Sequence, residues 1–161
     1  MAGDTMVGTS IEFYARGLPV PEGSTKSFYI PPKKGSAGKG HVVTTHANPK
    51  MDKWRQDIKA AAVHRNDEVF EGDRFYRPKN KKHRGDGVRV VCTFYMHKPK
   101  NATDDSYPST IPDIDKLIRA VLDALTDVLW DDDSQVLEIM IRKKYQKDGE
   151  GPGVQVKVEV I

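Results

Sequence analysis

The chain has 161 residues and a single cysteine, Cys92. One thiol excludes an internal disulfide and any zinc site built from several thiolates. Its setting in the apolar run VRVVCTFYM makes it a buried structural thiol. Long hydrophobic stretches are missing as well. Nothing approaches the roughly 18 consecutive apolar residues that span a bilayer, and the opening MAGDTMVGTS has no signal-peptide core. A cytoplasmic protein without a membrane partner is expected. A glycine-rich phosphate loop is absent, so no nucleotide cofactor is expected. The histidines at 41, 46, 64, 83 and 97 have no metal-ligand spacing and read as surface or core residues.

With 37% hydrophobic and 30% charged residues and a mean hydropathy of −0.62, the composition fits one domain over residues 1–161, with long solvated loops. The net charge of +3 hides an asymmetry. Residues 1–100 carry 19 Lys and Arg against 10 Asp and Glu, whereas residues 101–161 carry 7 against 13. A basic part joined to an acidic part suits a protein that grips a polyanion and holds cations for chemistry on it; unrelated solvated faces of opposite sign are the plainer explanation.

The elements read as α+β: a mixed sheet with two main helices packed on it. Residues 10–16 have strand character, followed by the Pro/Gly-punctuated GLPVPEGSTKSF. FYIPPKKGSAGKGHVVTTH reads as two short extended pieces around a basic loop at about 31–40. A helix then starts with Asn48 as cap and Pro49 in the first turn, buries Met51, Trp54, Ile58, Ala61 and Ala62, and ends near Asn66. Residues 72–86 hold six Lys or Arg without periodicity, which makes a loop: either a phosphate-binding arm or a solvated insertion. Residues 88–96 form a strand, and a long irregular connection leads to Pro112. Ile114, Leu117, Ile118, Val121, Leu122, Leu125, Val128 and Leu129 then form one stripe of a helix of about 17 residues, or of a shorter one ending near Asp127. Residues 135–144 and 154–161 read as strands paired in an antiparallel hairpin.

Seven aspartates lie between Pro112 and Val136. Asp113 and Asp115 stand at the helix start, where caps and first-turn acids are ordinary. Asp123 follows, as a surface acid with Arg119 within reach. Asp131, Asp132 and Asp133 are adjacent at the turn into a strand, where like charges repel unless countered. Mg²⁺ prefers carboxylate oxygen, and three or four converging acids would bind one or two ions. Such ions activate water and stabilise the leaving oxygen in phosphodiester hydrolysis, with Arg119 placed to neutralise developing charge. The two acid groups meet if the strand from Ser134 returns alongside the helix toward its start, if the long loop before Pro112 delivers Asp113 across the sheet, or if the helix stops near Asp127 and the chain folds back.

The pattern Asp113-Ile-Asp115, Arg119, Leu122-Asp123-Ala124-Leu125 and Trp130-Asp131-Asp132-Asp133-Ser134-Gln135-Val136 resembles the RusA-type Holliday-junction resolvases, common in phages and prophages. GLPVPEGSTKSF and HANPKMDKWRQDIKAAA extend the likeness over most of the chain. The resemblance implies a homodimeric, Mg²⁺-dependent endonuclease, with Mn²⁺ as a substitute, that cuts two opposed strands of a four-way DNA junction symmetrically in a bacterial host. It implies Asp113, Asp115 and Asp133 as catalytic metal ligands, Asp132 as an auxiliary one and Arg119 as catalytic. The chain departs from the family in carrying Lys116 where Asn is usual and Arg119 where Lys is usual, the latter keeping charge but not shape. The acidic site would repel DNA, so cations must attract it: Lys26, Lys33, Lys34, Lys39, Lys50, Arg74, Arg77, Lys79, Lys81, Lys82, Arg84 and Lys116. A DNA-structure-binding protein with weak catalysis, or a flap or fork nuclease on the same fold, are the alternatives.

Overall fold

The computed structural model describes residues 9–23, 26–45, 49–82, 84–103 and 105–161, with only the backbone of Lys26 and Thr45. Four strands form the main sheet: β1 (Ser10–Arg16), β4 (Val88–Met96), β5 (Val136–Tyr145) and β6 (Gly153–Val160). Strands β2 (Lys26–Ile30) and β3 (His41–Thr45) make a separate antiparallel ribbon. Helices α1 (Lys50–Phe70) and α2 (Ile114–Leu125) complete the set, giving an α+β fold.

Strand order in the main sheet is β1-β6-β4-β5. The expected hairpin between the last two strands does not form: β6 and β5 flank β4, antiparallel and parallel to it respectively. Strand β4 takes the centre because its alternation buries Val88, Val90, Cys92, Phe94 and Met96, and six of its nine residues are β-branched or aromatic. The connection 146–152 is long enough to cross one strand, turning through Gly149 and Gly151 at φ 83° and 72°. The parallel β4–β5 pair needs a crossover, and α2 supplies it.

Both helices contribute to one apolar layer. Met51, Trp54, Ile58 and Ala62 of α1 and Leu117, Ile118, Ala120, Val121, Ala124 and Leu125 of α2 are buried with Ile11, Phe13, Val154, Val156 and Val158 of the sheet. Each of the larger side chains among them contributes about 1.5–3 kcal/mol on burial. The first helix runs four residues past the expected end and stops where Glu71 turns left-handed at φ 51°. Arg65 and Glu68, paired at 3.1 Å, support that extra turn. Asn48, expected as its cap, lies outside the described residues.

Helix α2 takes the shorter of the two expected lengths, 12 residues. Asp127 adopts φ 66°, and Thr126 bridges to Trp130, so residues 126–130 fold into a compact turn with Leu129 and Trp130 fully buried. The amphipathic stripe continues through Leu129 because those residues are core, not because they are helical. No helix among the described residues is long and apolar enough to cross a membrane.

Candidate functional site

Asp113 occupies the N-cap position of α2 in extended conformation, yet its side chain makes no capping hydrogen bond. Its carboxylate instead lies 3.4 Å from Lys116 Nζ. The residue that replaces the family's usual Asn is therefore a counter-charge to the first acid. Asp115 lies on the exposed side of the first turn. The backbone before them is pinned from the sheet: Lys143 Nζ of β5 donates to the carbonyls of Thr110 (2.8 Å) and Pro112 (3.0 Å). Sequence reasoning missed Lys143. Its signal was a lysine at an inward register position, after Ile139 and Ile141 and before Tyr145.

The other acids sit at the opposite end of α2, each held by its own donors. Asp133 Oδ1 accepts from Thr126 Oγ1 (2.7 Å) and from Trp130 Nε1 (2.9 Å). Asp132 caps the 3₁₀ turn Asp133–Gln135, accepting from the Ser134 N–H at 2.8 Å; the Ser134 hydroxyl first, and then this N–H, hold its carboxyl below its usual range. Asp131 Oδ2 accepts from the Lys79 N–H (2.6 Å), while its Oδ1 accepts from Tyr76 Oη (3.1 Å) and Arg74 Nη1 (3.4 Å). Burial and then the bond to Asp131 push the Tyr76 phenol up. The three adjacent acids thus coexist through neutral N–H and O–H donors and one guanidinium, a solution invisible in their spacing.

Asp131 also ties the basic arm to the acidic turn. Gln135, 5% exposed, closes the junction: its Oε1 accepts from the N–H of Asp131 and Asp132, and its Nε2 donates to the Asp86 carbonyl. Gly85, at φ 81°, lets the arm pass; a Cβ there would meet Gln135 Nε2 at 2.6 Å and Lys79 N at 2.9 Å. Within the arm, Arg74 pairs with Asp131 and Arg77 with Asp86, whereas Lys79, Lys81, Lys82 and Arg84 have exposed side chains. Lys33, Lys34 and Lys39 are exposed at the end of the β2–β3 ribbon, Lys50 opens α1, and the Lys26 side chain lies outside the described part.

Arg119 is exposed on α2 and close enough to Glu22 to act on its carboxyl. There Arg55 joins Glu22 (2.6 Å) and Asp123 (2.9 Å). Asp123 therefore pairs with Arg55, not with Arg119. Burial first, then Asp123, raises the Glu22 carboxyl, with Arg55 and Arg119 acting against that rise.

Within one chain α2 separates the two acid groups. From Asp115 to Thr126, beside Asp133, the axial rise is about 16 Å, and from Asp113 about 20 Å. Ligands of one magnesium ion lie about 2.1 Å from it. Among the described residues no three His, Cys, Asp or Glu side chains converge on an ion position.

The family model described as "Endodeoxyribonuclease RusA" matches residues 30–159, most of the chain and both acid groups. The "Uncharacterized protein YqaN" of Bacillus subtilis (strain 168) is 27% identical over 158 residues, covering 94% of this chain and 96% of that protein. A basic arm anchored on an acidic turn, an uncapped aspartate pair at a helix start and this match identify the chain as a member of the RusA family of endodeoxyribonucleases, whose general role is cutting Holliday junctions.

Proposed function

We propose that the protein resolves four-way DNA junctions by paired, symmetric hydrolysis of two opposed strands, as a homodimer that uses Mg²⁺. The observation that supports the dimer is the separation of Asp113 and Asp115 from Asp133 by the length of α2. One chain does not fit an ion bound by all three acids. Two chains related by a twofold axis fit it if the helix start of each meets the acidic turn of the other. A junction carries two equivalent scissile phosphates, and a twofold dimer presents one such site to each.

Each residue then has a stated task. Asp113, Asp115 and the partner's Asp133 hold the ion, with Asp132 available beside it. A divalent ion bound there supplies positive charge to the reacting phosphate and acidifies a water. Thr126 and Trp130 fix the orientation of Asp133, leaving Oδ2 outside their two bonds. Lys143 fixes the backbone that carries Asp113. Lys116 offsets the charge of Asp113, and Arg119 steadies negative charge on the DNA. The ribbon cations Lys26, Lys33, Lys34 and Lys39, with Lys50 and the arm from Arg74 to Arg84, attract the phosphate backbone, so affinity falls steeply with salt.

Subunit mixing tests this directly. Asp115→Asn and Asp133→Asn are each expected to bind a synthetic junction and to leave it uncut. Refolded together, half of the dimers are mixed, and each mixed dimer has one fully intact composite site. Nicking should return to about a quarter of the wild-type site count. No recovery after verified exchange would show that the acids act within one chain or not at all. Equal cutting of flaps and junctions would replace the resolvase by a flap nuclease.

A further inference from the structure

We propose that Ile111 is a wedge that opens the base stack at the branch point, and that the proline-lined groove beside it receives the displaced base of the strand being cut. This deepens the junction-cutting reading above and rests on it, because that reading places the scissile phosphate beside Asp113 and Asp115.

Ile111 is the most exposed large apolar side chain among the described residues, at 86%. A lone apolar side chain on a surface is ordinary, but this one is held in place. Lys143 Nζ donates to the carbonyls of Thr110 and Pro112, the residues on either side of it. The backbone that presents Ile111 is thus fixed, while its side chain takes no part in the core. The fold keeps an aliphatic side chain in water two residues before the first acid of the site.

The surfaces on its two sides differ. On one side Ile111 shares a shallow hollow of about 780 Å³ with Asp113, Ile114 and Asp115. On the other it borders a groove of about 550 Å³ whose walls include Leu18, Pro19, Pro21, Met96 and Pro108. Asp113 and Lys143 line both. Ile111 therefore stands between the place of the reacting phosphate and an adjoining apolar slot.

The groove is built to stay open. Five of the chain's ten prolines line it. Proline has no side-chain freedom to lose when a ligand lands on it, and no N–H left without a partner. Lys143 pins the wall at 110–112. The wall that carries Pro19 and Pro21 is pinned by Glu22, whose N–H donates to the Lys116 carbonyl of α2 at 3.1 Å. Both walls are thereby fixed relative to the helix start that carries the acids.

Charge and shape choose the occupant. Lys116 and Lys143 line the groove against the single carboxylate of Asp113. Flat apolar walls with a cationic margin, one step from the acids, suit a nucleobase still joined to its phosphate chain. Ligand sites span about 300–1,000 Å³, so one base has ample room. Apolar wedges, isoleucine among them, unstack DNA by entering a base step, and the cost is regained through the contacts that follow. That cost is least where pairing is already interrupted, as at the point of strand exchange. The wedge thus favours a junction over intact duplex.

Cutting and base fluorescence test this together. Ile111→Ala should keep the far-UV circular dichroism and the sedimentation of wild type, and bind a synthetic junction with affinity changed less than about three-fold. Its cutting of a fully paired junction should fall about ten-fold or more, since the DNA must now unstack unaided. A junction with unpaired nucleotides at the branch point should restore its cutting to near wild type, which a general loss of structure would not allow. Ile111→Leu should cut as wild type does. In the uncut complex of Asp115→Asn, 2-aminopurine next to the branch point should brighten on binding, and adding Ile111→Ala should abolish that rise. Leu18→Trp, which fills the groove from the opposite wall, should slow cutting of both junctions. Normal cutting of the paired junction by Ile111→Ala, or an equal loss on both junctions, would overturn the wedge. So would dissociation into smaller species, which would make Ile111 a contact between copies. Wild-type cutting of both junctions by Leu18→Trp would overturn the groove as the seat of the base. A wild type that cuts no junction would end the junction-cutting reading, and the 2-aminopurine signal then decides the wedge alone.

Discussion

Replacing Asp131 by alanine should unlatch the basic arm from the acidic turn, at a cost that the geometry sets. The carboxylate accepts a short bond from the Lys79 N–H at 2.6 Å and a second from the Tyr76 hydroxyl at 3.1 Å. A hydrogen bond to a charged group contributes about 1.5–3 kcal/mol, and a buried donor left unpaired costs about 1–3 kcal/mol. Tyr76 is 3% exposed, so its hydroxyl is the donor that suffers. The Arg74 pair adds only a few tenths, because its guanidinium side chain is 57% exposed. With overlap between these terms, Asp131→Ala should cost about 3 kcal/mol. Urea unfolding followed by tryptophan fluorescence reads this, since Trp54 and Trp130 are both buried. Tyr76→Phe alone should cost about 1 kcal/mol, and the double variant should show a coupling of about 1 kcal/mol. Junction affinity should also fall, because a loose arm must be ordered on binding, while its salt slope stays unchanged because the same cations still meet the DNA. A cost below about 0.5 kcal/mol with zero coupling would refute the claim that Asp131 holds the arm.

Three further outcomes follow from other parts of the molecule. Burial pushes the Cys92 thiol up to about 12, so a thiol reagent at pH 8 should label it only as fast as the protein unfolds; rapid labelling of the native state would contradict its place under the helices. The raised Glu22 carboxyl makes a contribution to stability that is full below its ordinary value and shrinks as pH rises through the folded-state value. The stability of wild type relative to Glu22→Gln should accordingly decline as pH rises from about 4 into the neutral range, and an increase over that window would reverse the assigned sign. Changing Lys79, Lys81, Lys82 and Arg84 together to Gln should reduce the slope of log affinity against log salt by up to about 0.9 for each phosphate no longer neutralised, without altering which junction strands are cut; an unchanged slope would assign the phosphate-binding cations to another part of the surface.

Strand β4 and strand β1 were legible to the residue because alternation and β-branching act locally, within a few positions. The amphipathic stripe of α2 was equally plain, but its length was not. Val128 and Leu129 continue the helical spacing while belonging to a turn, since a buried turn needs apolar side chains as much as a helix does. The pairing of the last two strands failed for a related reason: alternation in β6 reveals that one of its faces is buried and says nothing of its neighbour. Strand order depends on which strand is apolar enough for the centre, a comparison between distant segments.

The acidic groups show the same division. Their presence, their places at a helix start and a turn, and the family they mark are written in the order of residues from Asp113 to Val136. Tertiary structure alone decided that Asp131 latches the arm, that Asp132 caps a turn, that Asp133 leans on Thr126 and Trp130, and that α2 stands between them and Asp113. Side-chain chemistry is a local property and survives in the one-dimensional string. Proximity between distant side chains is fixed by helix rise, strand direction and packing, which exist only once the chain has folded.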